Sequence, residues 1–310
     1  QKDSNSIISN YCRSLEVDKR NRIWIAADND LDIFDPATEI FTHIKKESNR
    51  DVSASIKPIA FYYDNVKDIM WVATLNGLYF SRAGSLKLES AAKFTSDSNI
   101  CTKTINTITA DGRDWLWLTS KHRIIKVNTN TGATENYEIP AFVSGKQNGG
   151  KITIFSSYLD QKKTLWLGSF ASGLFSFNTI TKAFGQYSYR DAEKEENTIF
   201  SIKQTGLPGQ EDVLFCSVSG AGLTAFNTST KQFTTYHSGI YNSALGIMGN
   251  AYGLSCYNNK MWIGSSTGLH CYDYSLQLFE KKDFSFIANG AALLPTEMMN
   301  IERNAEGKDE

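Results

Sequence analysis

Apolar residues in this chain fall in short runs bounded by Asp, Asn and Gly, and the runs return in a fixed order. The most regular run is an apolar–Trp–apolar trio followed by small residues. Its copies are Ile23-Trp24-Ile25-Ala26, Met70-Trp71-Val72-Ala73, Leu116-Trp117-Leu118-Thr119, Leu165-Trp166-Leu167-Gly168, Leu214-Phe215-Cys216-Ser217 and Met261-Trp262-Ile263-Gly264. The central aromatics are 47, 46, 49, 49 and 47 residues apart. A period of that length marks a repeat architecture and overrides a domain count drawn from length.

Each copy extends in register. A second apolar anchor follows the Trp position by seven or eight residues: Leu31, Leu78, Ile124, Leu174, Leu223 and Leu269. Gly77, Gly173, Gly222 and Gly268 precede it, as a tight connection at positive φ requires. Asp35, Asn128, Asn178, Asn227 and Asp273 come four residues after the anchor and begin a turn. Phe41, Phe184, Phe233 and Phe279 come six residues later. Ahead of the Trp, Asp18, Asp64, Asp111 and Asp160 each close an apolar segment. The runs are rich in Ile, Val, Thr and aromatics, so each repeat reads as four short strands, A to D. Strand B, with the Trp, is apolar on both faces, which a sheet packed on both sides predicts.

These features predict an all-β fold, a β-propeller of four-stranded antiparallel blades. Six repeats are complete, and Met299–Gly307 reads as the first strand of a seventh, so seven blades are favoured over six. Residues 1–310 read as a single propeller domain, a fragment of a longer protein. Sustained helical periodicity is absent, which excludes a helical solenoid.

Composition narrows the function. The chain has 32 Lys and Arg against 33 Asp and Glu, a net charge of −1, and no basic stripe, so a nucleic-acid partner is not expected. The sequence has no apolar run long enough to span a membrane. Gln1-Lys2-Asp3-Ser4-Asn5-Ser6 does not read as a signal peptide; a leader removed on export would leave such a start. Cys12, Cys101, Cys216, Cys256 and Cys271 lack metal-ligand spacing and read as free core thiols. No cofactor is expected.

The string D-x-x-x-x-[IL]-W-[IL]-G-[ST]-x-x-G-L-x-x-[FY]-[DN]-x-x-T-x-x-F-x-x-[YF] is carried by Asp160–Tyr187, by Asp18–Ile44 and more loosely by Leu254–Phe279. It resembles the repeat of the two-component regulator propellers, the extracytoplasmic sensor part of hybrid two-component systems of gut Bacteroidetes. Phe215 in place of Trp, Arg123-Ile124 in place of Gly-Leu, and Arg82 at the Asp/Asn position depart from it. The resemblance implies a non-enzymatic, periplasmic sensor domain of an inner-membrane histidine kinase. It implies an oligosaccharide or other small nutrient as ligand, and control of polysaccharide utilisation. The same resemblance implies a second propeller and an immunoglobulin-like domain in the full-length protein, which would act as a homodimer.

The repeated Trp, Leu and Phe read as core. Function belongs to the loops, where D joins the next A and where B joins C, at one shared end of the blades. The long D–A insertions are Glu138–Lys151, Ser188–Asn197 and His237–Asn250. Non-repeated residues with the chemistry of a sugar site are Tyr11, Arg13, Tyr62, Tyr63, Asn106, His122, Arg123 and Tyr252. Of these, Tyr62-Tyr63 stands out, because adjacent strand residues point to opposite faces and one ring must leave its packed side unless both faces have room.

No catalytic or metal-binding residue is identified. Asp28, Asp30, Asp32 and Glu39 imitate part of a calcium loop, but Ile33 stands where Gly is required. Gly145–Lys151 matches a phosphate loop except that Ile152 and a strand follow it. Two alternatives stay open. One is a propeller lyase using His122 with Asp28 or Glu138; the other is a pure protein-interaction scaffold.

Overall fold

The computed structural model describes residues 5–9, 11–44, 56–82, 84–112, 114–140, 152–189, 197–207, 209–219, 221–235, 251–257, 259–265, 268–274 and, by backbone only, 278–282. The chain forms two compact units. One holds Gln1–Ala141 with Lys151–Ile154; the other holds Phe142–Gly150 with Phe155–Glu310.

Six four-stranded sheets carry the repeats as blades. In the first unit, blade 1 is β1 (Cys12–Val17), β2 (Ile23–Ala27), β3 (Asp30–Asp35) and β4 (Ile40–Ile44). Blade 2 is β5 (Pro58–Asp64), β6 (Ile69–Thr74), β7 (Gly77–Arg82) and β8 (Glu89–Ser90), and blade 3 is β9 (Thr107–Ala110), β10 (Trp115–Ser120), β11 (Arg123–Asn128) and β12 (Thr134–Glu138). In the second unit, blade 4 is β13 (Ile154–Leu159), β14 (Thr164–Ser169), β15 (Leu174–Asn178) and β16 (Phe184–Tyr187). Blade 5 is β17 (Ile199–Lys203), β18 (Val213–Val218), β19 (Gly222–Asn227) and β20 (Gln232–Thr235). Blade 6 is β21 (Ala251–Tyr257), β22 (Lys260–Ser265), β23 (Gly268–Asp273) and β24 (Leu278–Lys282). Strands within a sheet follow sequence order. The expected seventh-blade start, Met299–Gly307, lies outside the described residues, as do Gly145–Lys151 and the whole of His237–Asn250.

The core lies between blades. In the first unit, Trp24 and Ile33 of blade 1 pack with Phe61, Met70 and Val72 of blade 2. Trp71 and Phe80 of blade 2 pack in turn with Leu116, Leu118, Ile125 and Val127 of blade 3. The second unit repeats this: Trp166 meets Leu214 and Phe226, and Phe215 meets Met261 and Ile263. Trp24, Trp71, Trp166 and Phe215 therefore reach out of their own sheets onto the next, which is why strand B has no polar face there. Cross-strand ring pairs recur at the outer edge, Phe34–Phe41 at 4.6 Å and Phe177–Phe184 and Phe226–Phe233 at 4.7 Å. Cys256 and Cys271 sit on β21 and β23, with β22 between them, and all five cysteines are free thiols. Burial pushes the Cys216 thiol up to about 12.

The polar positions of the repeat are explained by the turns. Asp160 accepts the indole N–H of Trp166 at 2.8 Å and the backbone N–H of Thr164 at 2.8 Å. Asp18 and Asp111 accept from Trp24 and Trp117 in the same way, each at 3.1 Å. Two copies break the rule. Asp64 is one residue too early and Cys256 stands in the acidic position, and the Trp71 and Trp262 indole nitrogens are buried without a partner. Asn128, Asn178 and Asn227 each turn back to accept two backbone N–H groups, from the residues two and three further on. Gly132, at φ 73°, closes the first of these turns where an added Cβ would lie 1.8 Å from the Phe94 carbonyl oxygen, so only glycine fits. Blade 2 lacks the turn residue, having Arg82 there. Its outer strand is only two residues long, followed by a 3-10 turn (Ala91–Lys93) and α1 (Ser98–Cys101). Phe94 then supplies the missing outer aromatic, edge-on to Trp71 at 5.7 Å.

Lysine and acidic side chains at the A–B turns staple neighbouring blades. Lys19 meets Asp68 at 2.7 Å, Lys67 meets Asp114 at 2.7 Å, and Lys162 meets Asp212. The Lys19 ammonium, with the Tyr63 hydroxyl and the Arg20 guanidinium, holds the Asp68 carboxyl well below the usual carboxylate range. Lys162 and the Ser229 hydroxyl lower Asp212 to about 2.

Candidate functional site

Strand pairing separates the two ends of every blade. Cys12 pairs with Ala27 and Ala27 with Asp30, whereas Val17 pairs with Ile23 and Asp35 with Ile40. The D–A and B–C connections thus share one end, as the sequence leads one to expect, and the stapled A–B and C–D turns occupy the other. Gly77, Gly173, Gly222 and Gly268 all have positive φ, as their place before the anchor implies.

In the first unit the loop end is charged. Arg13 lies at a bulge in β1, and its guanidinium sits 5.3 Å from the centre of the Tyr11 ring. Both side chains are exposed. The Tyr11 carbonyl accepts the Asp28 N–H at 2.8 Å. Asn106 is held by its backbone N–H, which donates to Thr119 O at 2.8 Å. The His122 carbonyl accepts the Ile139 N–H at 2.8 Å. Arg123 forms an ion pair with Glu138 at 3.0 Å, so one of the two carboxylates considered for a His122 lyase is engaged by arginine.

Tyr62 and Tyr63 occupy the far half of β5, and both faces of the strand have room for a ring. Tyr62 packs on the core between blades 2 and 3, and Tyr63 on the core between blades 1 and 2. Tyr63 donates its hydroxyl to Asp68 at 2.8 Å, at the turn end rather than the loop end. Burial and that bond push its pKa up to about 12. The acidic set resembling a calcium loop diverges: Asp28 accepts from Asn29, while fully buried Asp32 accepts the Ile8 N–H at 2.8 Å and lies 2.8 Å from His43 Nδ1. No group of three or more His, Cys, Asp or Glu among the described residues is arranged to hold a metal ion.

The loop end of the second unit is aromatic. Tyr252, at a bulge in β21, packs edge-on to Phe200 with ring centres 5.1 Å apart. Phe200, at a bulge in β17, lies nearly parallel to Phe155 at 5.6 Å, and Phe155 meets Phe170 edge-on at 6.0 Å. Phe155, Phe170 and Tyr252 are 41%, 50% and 50% exposed, too much for core residues. Phe155, Phe200 and Tyr252 are each the second residue of strand A in successive blades. The blade 4 loop that carries Phe170 is pinned: Ala171 N–H donates to Thr198 Oγ1 at 2.9 Å, Gly173 N–H to Asn197 O at 2.7 Å, and Gln186 Nε2 to Ser172 O at 2.8 Å.

Of the eight residues singled out from sequence, Tyr252 alone belongs to this row. Phe155 and Phe200 escaped notice because the Trp-based register slips. They precede their Trp or Phe by 11 and 15 residues, since blade 5 has a longer A–B turn through Gly206 and Gly209. Strand A counted from its own start exposes the recurrence.

No family model and no curated protein matches this chain. Solved structures do. The chain is similar to the extracellular domain of a protein described as hybrid two component system BT3049 from B. thetaiotaomicron, with TM-score 0.67 and 19% identity over 88% of this chain and 35% of that one. It is similar to the extracellular domain of B. thetaiotaomicron BT4673, described both as a hybrid two component and as a one component system, with TM-score 0.65 and 17% identity over 87% of this chain and 34% of that one. A computationally designed protein, Ika8, aligns with TM-score 0.54 and 10% identity over 84% of this chain and 70% of that one. The chain spans about a third of the length of the two natural extracellular domains, and the likeness establishes that it shares their fold.

Proposed function

We propose that this chain is a ligand-sensing propeller of an extracytoplasmic, two-component-type sensor, and that its ligand is an oligosaccharide. The observation that carries the reading is the shared fold. Most of this chain superposes on a third of each of two extracellular domains of such systems. The division between a stapled turn end and an accessible loop end supports it, since a sensor needs a fixed scaffold with a separate recognition surface. On this reading the chain is non-catalytic, periplasmic, and part of an inner-membrane histidine kinase that acts as a dimer. The remainder of its seventh blade, a second propeller and an immunoglobulin-like domain belong to the rest of the protein. Tyr11, Arg13, Asn106, His122, Arg123 and Tyr252 are the recognition residues carried forward from the sequence; Tyr62 and Tyr63 would act through the blades they join.

A sensor responds only through a difference in affinity between two states, so the ligand must favour one arrangement of domains or protomers. The test is calorimetric titration of the intact ectodomain against a broad glycan panel, beside a reporter of signalling in cells. Binding of one glycan class that also triggers the reporter is the expected outcome. An ectodomain that binds nothing in the panel while cells still respond to a glycan would overturn direct sensing.

A further inference from the structure

The aromatic row of the second unit is an exposed surface at the loop end of its blades. Its members come from three successive blades at one strand position, and from one pinned loop. Burying such rings is strongly favourable, and nothing in the described unit covers Phe155, Phe170 or Tyr252. The chemistry of the surroundings limits the occupant. The described polar residues beside the row are small: Ser172, Ser201 and Ser219 are part-exposed, while Asn197, Thr198 and the Ser156 hydroxyl are buried. No Lys, Arg or His is found in the first three positions of β13, β17 or β21, or among the described residues of the B–C connections of these blades. A carboxylated or sulfated ligand needs cationic partners, and the described residues of this surface offer none. A helical peptide wants an aliphatic groove, and no Leu, Ile, Val or Met among the described residues is exposed beside the row. Exposed rings beside serine hydroxyls suit a molecule that alternates apolar C–H faces with a rim of hydroxyls.

We propose that Phe170, Phe155, Phe200 and Tyr252 seat an uncharged oligosaccharide, the rings following one another at 6.0, 5.6 and 5.1 Å along the loop end. The proposal rests on the oligosaccharide-sensing reading and names its site and ligand class. The pinned loop means the rings are ordered before the ligand arrives, so little conformational freedom is lost on binding.

The experiment is calorimetric titration of the 310-residue chain. The probes are neutral glucan, mannan, xylan and galactan oligosaccharides, with uronate and sulfated oligosaccharides as the contrast. Wild type is compared with Phe155→Ala, Tyr252→Ala, Phe155→Leu and, at the turn end, Ile180→Ala. A neutral oligosaccharide should bind, and each alanine variant should weaken it about tenfold, the scale of one lost ring contact. Phe155→Leu should weaken it similarly, because it keeps apolar area but loses the flat face. Ile180→Ala should leave binding unchanged. Unaltered affinity in the alanine variants would overturn the seat while leaving the sensor reading intact. Binding of acidic glycans alone would overturn the ligand class, and wild-type affinity in Phe155→Leu would overturn stacking. Binding to no oligosaccharide would overturn the proposal and the sugar-sensing reading together.

Discussion

The two ends of these blades solve different problems with the same strands. At the turn end, polar side chains are spent on structure: Asp160 holds Trp166, Asn178 closes its hairpin, and Lys162 reaches Asp212 on the next blade. At the loop end, strand A of blades 1, 2, 5 and 6 is bulged, and Arg13 and Tyr252 are exposed there. The difference predicts that turn-end changes cost stability and loop-end changes cost recognition.

The strongest test is Asp160→Ala, which leaves a buried indole N–H and a backbone N–H without an acceptor. Urea unfolding should show a loss of about 2–4 kcal/mol. An intact midpoint would mean the turn end does not hold the blade. A finer contrast uses two tryptophans. Trp166→Phe removes a satisfied N–H and strands Asp160, at a cost of about 1–2 kcal/mol. Trp71→Phe removes an N–H that has no partner, so it keeps only the cavity cost of the smaller ring and should destabilise about 1 kcal/mol less than Trp166→Phe. Equal losses in the two variants would show that ring size, and not the aspartate, sets the cost. Phe155→Ala is the loop-end counterpart: its urea midpoint should match wild type, because the ring is already 41% exposed.

Acid provides the next test. Burial alone would raise the Asp18 pKa, but hydrogen bonds from Arg22, Trp24 and backbone N–H groups outweigh it and lower the value. Asp68 and Asp212 are lowered by their lysines. A carboxyl with a lowered folded pKa stabilises the fold above its ordinary value near 3.8, and that stability is lost as pH falls through the folded value. Tm should therefore drop between about pH 4 and pH 2, and a flat profile there would remove these acids from the stabilising set. The smallest effect belongs to Lys162→Met. The pair is exposed, so any change in Tm should vanish in roughly molar salt.

Much of the fold was legible because packing imposes a period. Trp24, Leu31, Asp35 and Phe41 each have one role per blade, so their spacing survives in the sequence. The Asp at the end of strand A was visible as a recurring residue, but its bond to Trp six positions later needed coordinates. Blade 2 was misleading: Arg82 signalled a departure, while the 3-10 turn and α1 that carry Phe94 into the outer aromatic place left no periodic trace. The site was less legible. Phe155, Phe200 and Tyr252 share a strand position, not a spacing from the Trp, and turn length decouples the two. Tyr62 and Tyr63 looked unusual as a pair, yet a strand packed on both faces buries two adjacent rings as readily as one.

The bulge near the start of strand A has an evolutionary consequence. An inserted residue that opposes no single partner can be exchanged without disturbing the ladder beside it. Blades 1, 2, 5 and 6 already place Arg13, Ile59, Phe200 and Tyr252 there: a cation, an aliphatic chain and two rings on one backbone device. Such a scaffold can change what it recognises one blade at a time, by point substitution, while every tryptophan stays where it is.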